Sequence, residues 1–211
     1  MELEEKLQAL EAKENDFREI SKGLFPFMNQ SHLVLMAIGI VNRTLSLNFG
    51  FATLIRSRNF IAASHLIRLN LDSYLRFHAA RLVDDRESFA TEVLKGTKVS
   101  SMKSKNGDKL TDRFLKENAA QYYPWMQNVY DVSSGFVHFS RKHVFTSFKI
   151  IDTETGRFET AVSKFDKYVP DVSKIEAVDC MIAITDCLIA MVKGLATVIL
   201  FKGVPGGDNN E

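Results

Sequence analysis

Apolar residues recur at helical spacing through most of this chain, and polar residues and glycines interrupt them at a few points. The first run ends near Gly23, and its apolar positions are Leu3, Leu7, Leu10, Phe17 and Ile20. Asn29 or Ser31 can cap a second helix from about His32 to Arg56. A third run covers residues 60–77, so the pattern predicts three successive helices.

Helix-start signals continue in the second half of the chain. Residues 84–87, Asp-Asp-Arg-Glu, form a capping box that starts a short helix, and Thr111 can cap another. Pro124 suits the first turn of the next helix, because the first N–H groups of a helix have no partner within it. Residues 173–176, Ser-Lys-Ile-Glu, form a second capping box and predict the start of a long final helix.

After residue 143 the spacing of apolar residues changes from the helical period to the alternating period of a strand. Residues 144–151 and 157–162 are rich in β-branched and aromatic side chains, and the turn between them ends on Gly156. These features predict a β-hairpin over about 144–162.

The fold class follows from these elements and from the composition. A chain of 211 residues with 45% hydrophobic residues can bury one core. We therefore expect an all-α fold, a helical bundle of about six helices with one small β-hairpin insertion. It forms a single helical domain over 1–211, with a disordered tail at about 203–211.

Charge is balanced over the whole chain, with 27 lysines and arginines against 26 aspartates and glutamates. Attraction to nucleic acid must therefore come from a local patch. Lysines cluster ahead of Thr111 among glycine, serine and asparagine, a composition typical of an exposed, mobile loop. Lys98, Lys103 and Lys105 of this loop are candidate nucleic-acid contacts.

Cys180 and Cys187 lie seven residues apart in an apolar helical run. Two helical turns rise about 10 Å, too far for a disulfide between them, so a reduced protein is expected. The acidic N-terminus differs from a secretory signal, which favours a cytoplasmic location.

The segment 175–201 is apolar and long enough to cross a bilayer. Asp179, Asp186 and Lys193 interrupt it at steps of seven, so they share one stripe of a helix. Charges are costly in the middle of a membrane. We therefore expect a buried helix of a bundle that exposes one charged edge to solvent, and no membrane span.

The first candidate site is the stretch 136–143, which holds His138, Ser140 and His143. A histidine there could act as a general base, and a histidine pair could act as acid and base in metal-free phosphodiester cleavage. Alternatively, these side chains only cap the end of a helix. Two histidines without a cysteine or carboxylate at ligand spacing do not predict a metal site, and no cofactor is predicted.

The second candidate site lies on the third helix, where Arg68, Asp72 and Arg76 share one face. They could form a ladder of ion pairs on a solvated surface. Alternatively, Asp72 could orient the two arginines towards a phosphate or carboxylate ligand, because apolar residues surround this face.

A resemblance adds to this interpretation. Leu-Ile-Arg-Leu-Asn-Leu-Asp at 66–72, Tyr-Leu-Arg-Phe at 74–77 and Ser-Gly-Phe-Val-His-Phe-Ser at 134–140 resemble motifs of a group of uncharacterised bacterial helical proteins. The likeness covers residues 33–148. That group is distantly similar to the HEPN superfamily of helical bundles, which includes dimeric, metal-independent ribonucleases of toxin and phage-defence systems.

The HEPN catalytic signature is an arginine, usually followed by a polar residue, with four to six residues between the arginine and a later histidine. Arg58, Asn59 and His65 match this spacing. The resemblance therefore implies a homo-oligomer that acts on RNA, with these three residues as an alternative to a site built from His138 and Arg68.

Three functions follow as hypotheses. A defence- or toxin-type ribonuclease requires the histidines and arginines to converge on one cleft. A non-catalytic oligomeric interaction module, which engages its partner through the hairpin and the first helix, requires the same polar residues to be satisfied internally. A small-ligand sensor requires a pocket in the bundle.

Overall fold

The computed structural model describes residues 2–137 and 146–202. These residues form seven α-helices and one two-stranded antiparallel sheet. In chain order the elements are α1 (Glu2–Leu24), α2 (His32–Arg56), α3 (Phe60–Ala79), α4 (Arg86–Leu94), α5 (Asp112–Ala120), α6 (Trp125–Val137), β1 (Phe148–Asp152), β2 (Arg157–Thr160) and α7 (Asp171–Lys202). The predicted all-α bundle with one small hairpin is confirmed.

Four helices begin at a side chain that accepts a hydrogen bond from the backbone N–H three residues later. These N-cap residues are Ser31, Asn59, Asp85 and Thr111. The predicted starts of α2 and α5 are therefore confirmed. A short helix follows residues 84–87 as predicted, but the capping box does not form, because Asp85 is the cap and the Glu87 carboxylate accepts hydrogen bonds from Ser31 and Leu33 instead. The start predicted at Ser173 is wrong, because α7 begins at Asp171. The Ser173 N–H already donates to the Pro170 carbonyl at 3.1 Å, so Ser173 lies inside the first turn.

The first and last helices pack side by side along most of their length. Lys6 pairs with Asp179 at 2.5 Å, and Lys13 pairs with Asp186 at 2.6 Å. From the first ion pair to the second, the residue number rises by seven on both helices, so α1 and α7 run parallel. The predicted solvent-exposed edge of the last helix is confirmed, because its charged residues are exposed, namely Asp179, Asp186 and Lys193.

The centre of the bundle is α3, which packs against α2, α5, α6 and α7. A buried polar contact crosses three of these helices. Thr185 Oγ1 donates to Asn48 Oδ1 at 3.2 Å, and Asn70 Nδ2 donates to the same oxygen at 3.4 Å. These side chains are almost fully buried, so the contact fixes how α2, α3 and α7 face each other.

Among the described residues, α2 and α7 are long and apolar enough to cross a membrane. The core helices of soluble proteins satisfy the same criterion, so this finding does not distinguish a membrane span from a buried core helix. The cysteines of α7, Cys180 and Cys187, are free, as predicted.

The hairpin is shorter than predicted. The strands pair Phe148 with Thr160 and Ile150 with Phe158, and an irregularity in the pairing falls between Ile150 and Asp152. Gly156 ends the turn with a φ of 67°, a conformation that glycine adopts without steric cost.

Candidate functional site

The three residues singled out on α3 form an ion-pair cluster that Asp112 of α5 completes. Arg76 Nη2 lies 3.0 Å from Asp72 Oδ1 and 2.5 Å from Asp112 Oδ1. Arg68 Nη2 lies 3.6 Å from the other carboxylate oxygen of Asp112. Asp112 therefore bridges two arginines that are two turns apart on α3. We call these four residues the arginine–aspartate cluster.

The start of α5 explains the position of Asp112. Thr111 caps this helix, which places Asp112 in the first turn, at the positive end of the helix dipole. A carboxylate is favoured there, and α5 packs against α3, so the same carboxylate also reaches the arginines. The sequence pattern does not identify Asp112 as a site residue. The predicted cap at Thr111 favours an acidic residue in the first turn, but the spacing does not show which side chains that residue contacts.

The guanidinium of Arg68 also stacks on α6. Arg68 Cζ lies 3.9 Å from the centroid of the Tyr130 ring, and only 14% of the arginine side chain is exposed. Lys116 Nζ lies 5.0 Å from the same centroid and 3.0 Å from Asp131 Oδ1. These contacts join α3, α5 and α6 at one place. Tyr130 was not among the predicted residues either.

The cluster and its neighbours are electrically balanced. Three cations face three carboxylates, namely Arg68, Arg76 and Lys116 against Asp72, Asp112 and Asp131. A phosphate or carboxylate ligand could pair with both arginines only by displacing Asp112. The arrangement therefore stabilises the packing of α5 and α6 on α3. A role of Arg68, Asp72 and Arg76 in catalysis stays a prediction.

The alternative set, Arg58, Asn59 and His65, lies at the start of α3. Arg58 has a φ of 57°, and its carbonyl accepts a hydrogen bond from the Asp166 N–H at 2.8 Å. Asn59 caps α3. The partly buried His65 bonds through Nδ1 to the Ile61 carbonyl at 2.7 Å. All three therefore have structural contacts, and their action on a substrate stays a prediction.

Three candidate residues lie outside the described residues, namely His138, Ser140 and His143. They follow α6, the helix whose Tyr130 contacts Arg68. Convergence of that stretch with the arginine–aspartate cluster therefore stays a prediction. Within the described part of the chain, no group of three or more histidine, cysteine, aspartate or glutamate side chains is arranged to hold a metal ion.

The lysine-rich stretch 98–109, which we call the lysine loop, is exposed as predicted, and backbone hydrogen bonds define its shape. Ser104 Oγ accepts hydrogen bonds from the N–H groups of Asn106 and Asp108, both at 3.2 Å. The Lys105 N–H donates to the Leu82 carbonyl at 2.8 Å. Four lysines of the loop are exposed and make no ion pair with a described carboxylate. They are the three predicted contacts, Lys98, Lys103 and Lys105, together with Lys109.

His78 is a buried titratable group between α3 and α5. Its side chain is almost fully buried, and Nε2 lies 2.8 Å from Asn118 Oδ1. Burial lowers the pKa of the His78 imidazole, because the charged form would lose its hydration. The imidazole also stacks on Tyr74, with ring centroids 5.7 Å apart. A neutral His78 therefore belongs to the packing of the bundle.

One exposed apolar surface lies on the hairpin. Phe148, Ile150 and Phe158 share one face, since Ile150 is paired with Phe158 and the two phenylalanine rings lie 5.3 Å apart. Ile150 is 56% exposed and Phe158 is 61% exposed. We call this surface the hairpin face. Grouped apolar side chains in water are typical of an interaction surface.

The outer edge of β2 is also open. The sheet has two strands, and all four residues of β2 are exposed, so no third described strand pairs with it. Arg157 and Glu159 flank Phe158. Arg157 makes no ion pair with a described carboxylate. Glu159 accepts a hydrogen bond from the Tyr168 hydroxyl at 2.9 Å and lies 3.5 Å from Lys167.

No protein family, curated protein or solved structure matches this chain. The HEPN resemblance therefore stays a prediction from the sequence. Function has to be inferred from the described residues, which offer the arginine–aspartate cluster, the lysine loop and the hairpin.

Proposed function

We propose that this protein is a non-catalytic interaction module that self-associates through the outer edge of β2. The observation that carries this proposal is the hairpin, whose unpaired strand edge lies next to an exposed apolar face. Such an edge presents unpaired N–H and C=O groups that favour pairing with another strand. Pairing would also cover apolar surface that is now in water.

The sequence of β2 is self-complementary around Phe158. Antiparallel pairing of two copies about this residue places each Phe158 opposite that of the other copy. It also places Arg157 opposite Glu159 of the partner subunit, twice by symmetry. Opposite charges at directly paired positions stabilise a sheet, and the aromatic pair extends the hairpin face across both copies. A second copy of this chain is therefore the partner that fits the edge.

The edge of β1 lacks this complementarity. Antiparallel pairing of two β1 strands about Ile150 would place Lys149 opposite Ile151. Pairing about Lys149 would bring two like charges together, which is unfavourable. The β2 edge is therefore the better candidate for symmetric pairing.

The polar residues of the bundle also support an interaction module. Such a module requires Arg68, Asp72 and Arg76 to be satisfied internally. Asp112 and Tyr130 provide partners for the two arginines, whereas the buried Nη1 of Arg76 has no hydrogen-bond partner among the described atoms. Residues that are already paired within the fold need no substrate to balance their charge.

Sedimentation velocity of the full chain over a range of concentrations tests the proposal. We expect a dimer for the wild type and a monomer for Phe158→Asp, because an aspartate pair would replace the aromatic pair. Phe49→Asp is the matched control, since Phe49 of α2 is 69% exposed and lies outside the hairpin. It should leave the dimer intact. A wild type that stays monomeric at its highest soluble concentration would contradict the proposal, as would a dimeric Phe158→Asp.

A second candidate function is RNA binding by the lysine loop, favoured by its four exposed lysines without ion pairs to described carboxylates. Lysine contacts with phosphate release counterions, so affinity for single-stranded RNA should fall steeply as salt rises. Replacing Lys98, Lys103 and Lys105 with glutamine should flatten that salt dependence, whereas the exposed Lys22→Gln should not. Equal affinity of the triple variant and the wild type would exclude the loop as the contact.

The nuclease hypothesis has its own test. RNA incubated with the wild type should be degraded if the chain is a ribonuclease of the predicted type. His138→Ala and His65→Ala then distinguish the two predicted sites, because only the variant at the true site should lose activity. Intact RNA in the presence of a folded wild type would support the non-catalytic proposal.

A further inference from the structure

A cavity of about 740 Å³ lies between α3, α6 and the first turns of α7. Cavities of this size bind small organic molecules in other proteins. Most of its wall is apolar, and its apolar residues include Phe60, Ile67, Val129, Val132, Val169 and Ala177. It adjoins the hairpin, because Tyr168 lines the cavity and its hydroxyl donates a hydrogen bond to Glu159 of β2 at 2.9 Å.

The polar part of the wall is acidic. Glu176 and Asp179 are its two carboxylates, and no lysine or arginine of the described residues lines it. Asp179 pairs with Lys6 at 2.5 Å. Glu176 makes no ion pair with a described cation, so its charge is not balanced within the described part of the fold.

Two buried serines of the wall also favour a hydrogen-bond donor in the ligand. Ser64 Oγ donates to the Ile61 carbonyl at 2.8 Å, and Ser133 Oγ donates to the Tyr130 carbonyl at 3.2 Å. Each hydroxyl proton is thus used within its own helix, which leaves the oxygen lone pairs as acceptors. An anion entering this cavity would lose its hydration without gaining a cationic partner among the described residues.

We propose that this cavity binds a small organic cation with an apolar body, such as an alkyl or aryl amine, whose charged end lies at Glu176. The apolar wall accommodates the body, and the carboxylate compensates for the lost hydration of the ammonium group. Nucleotides and fatty acids do not fit this charge pattern, because each would bring negative charge towards Glu176 and Asp179.

Cys180 provides a direct readout of occupancy, because it lines the cavity and is partly exposed, whereas Cys187 is buried outside the lining. Burial raises the pKa of the Cys180 thiol, and the charges of Asp179 and Glu176 raise it further. Alkylation by N-ethylmaleimide is therefore best followed at mildly alkaline pH, where more thiolate is present. Intact-protein mass spectrometry followed by peptide mapping would give the rate at each cysteine.

Three probes of equal length separate the contributions of charge and shape, namely 4-phenylbutylamine, 4-phenylbutanol and 4-phenylbutyrate. We expect the amine to slow alkylation of Cys180 at concentrations roughly tenfold below those needed for the alcohol, and the butyrate to have no effect. In Glu176→Gln the amine should be no better than the alcohol. Equal protection by amine and butyrate would overturn the proposal, and so would an absence of protection by all three.

A cavity-filling variant provides a second test. Ala177→Leu should abolish protection by the amine and should raise or preserve the melting temperature, because the new side chain fills empty space. Ala196→Leu, at an equally buried alanine of α7 outside the cavity lining, should lower the melting temperature. Unchanged protection in a folded Ala177→Leu variant would contradict binding in this cavity.

Discussion

Lys6 and Asp179 pair at 2.5 Å across the first and last helices, and Lys13 and Asp186 repeat the contact one step of seven residues later. The repeat keeps α1 and α7 parallel and in one register. It also explains why an apolar helix such as α7 carries charges on a single stripe. Asp179 and Asp186 lie beside the surface of α7 against which α1 packs.

The first prediction concerns this register. Lys6→Glu should destabilise the fold, because two carboxylates would face each other, and Lys6→Glu with Asp179→Lys should recover most of the loss. The side chains are 30% and 49% exposed, so the single change should cost only about 0.5 kcal/mol after allowance for screening. Urea denaturation gives the free energies. Equal stability of the single and double variants would contradict a specific pair.

The second prediction concerns Asp112. Asp112→Asn should lower the free energy of unfolding by about 1 kcal/mol, a value discounted for the 41% exposure of the aspartate side chain. Arg68 and Arg76 would then face each other without a shared carboxylate. Glu117→Gln is the matched control, since it removes a carboxylate of the same helix whose only ion pair among the described residues is with the exposed Arg113. If both variants unfold at the same urea concentration, the cluster does not stabilise the bundle.

The third prediction concerns pH and His78. The pKa of this imidazole is lowered in the folded state, so as the pH falls through about 6.5 the unfolded chain takes up a proton before the folded chain does. Stability should therefore fall as pH falls from 7 to 5. His78→Gln keeps a polar atom near Asn118 but cannot be protonated, so it should lose about 1 kcal/mol less over this interval.

The control for this experiment is His32→Gln, at an exposed histidine of α2. It should keep the acid sensitivity of the wild type. Parallel pH profiles for the wild type and His78→Gln would show that the protonation of His78 does not contribute to acid unfolding.

The fold was predictable to the extent that its signals are local. Ser31, Asp85 and Thr111 each accept a hydrogen bond within their own helical turn, so their positions can be recognised from neighbouring residues. The capping-box pattern at Ser173 predicts the start of α7 two residues too late, because the Ser173 N–H already donates to the Pro170 carbonyl within the first turn.

The candidate site was less predictable, because its contacts are long-range. The contact between Arg76 and Asp112 spans 36 positions of the chain, and no local pattern reports such a pairing. The alternation of residues on β2 indicates that Phe158 lies on the opposite face from Arg157 and Glu159. Whether that face is exposed depends on how the bundle packs, so its exposure could be seen only in the structure.

Mixing two charge-reversed chains tests the proposed self-association most directly. Arg157→Glu and Glu159→Arg should each be monomeric, because each would place like charges at both paired positions of its own dimer. An equimolar mixture should form a heterodimer, since every paired position would then carry opposite charges. Sedimentation velocity of the two variants, separately and mixed, gives the answer. Dimers of either variant alone, or a mixture that stays monomeric, would contradict pairing through β2.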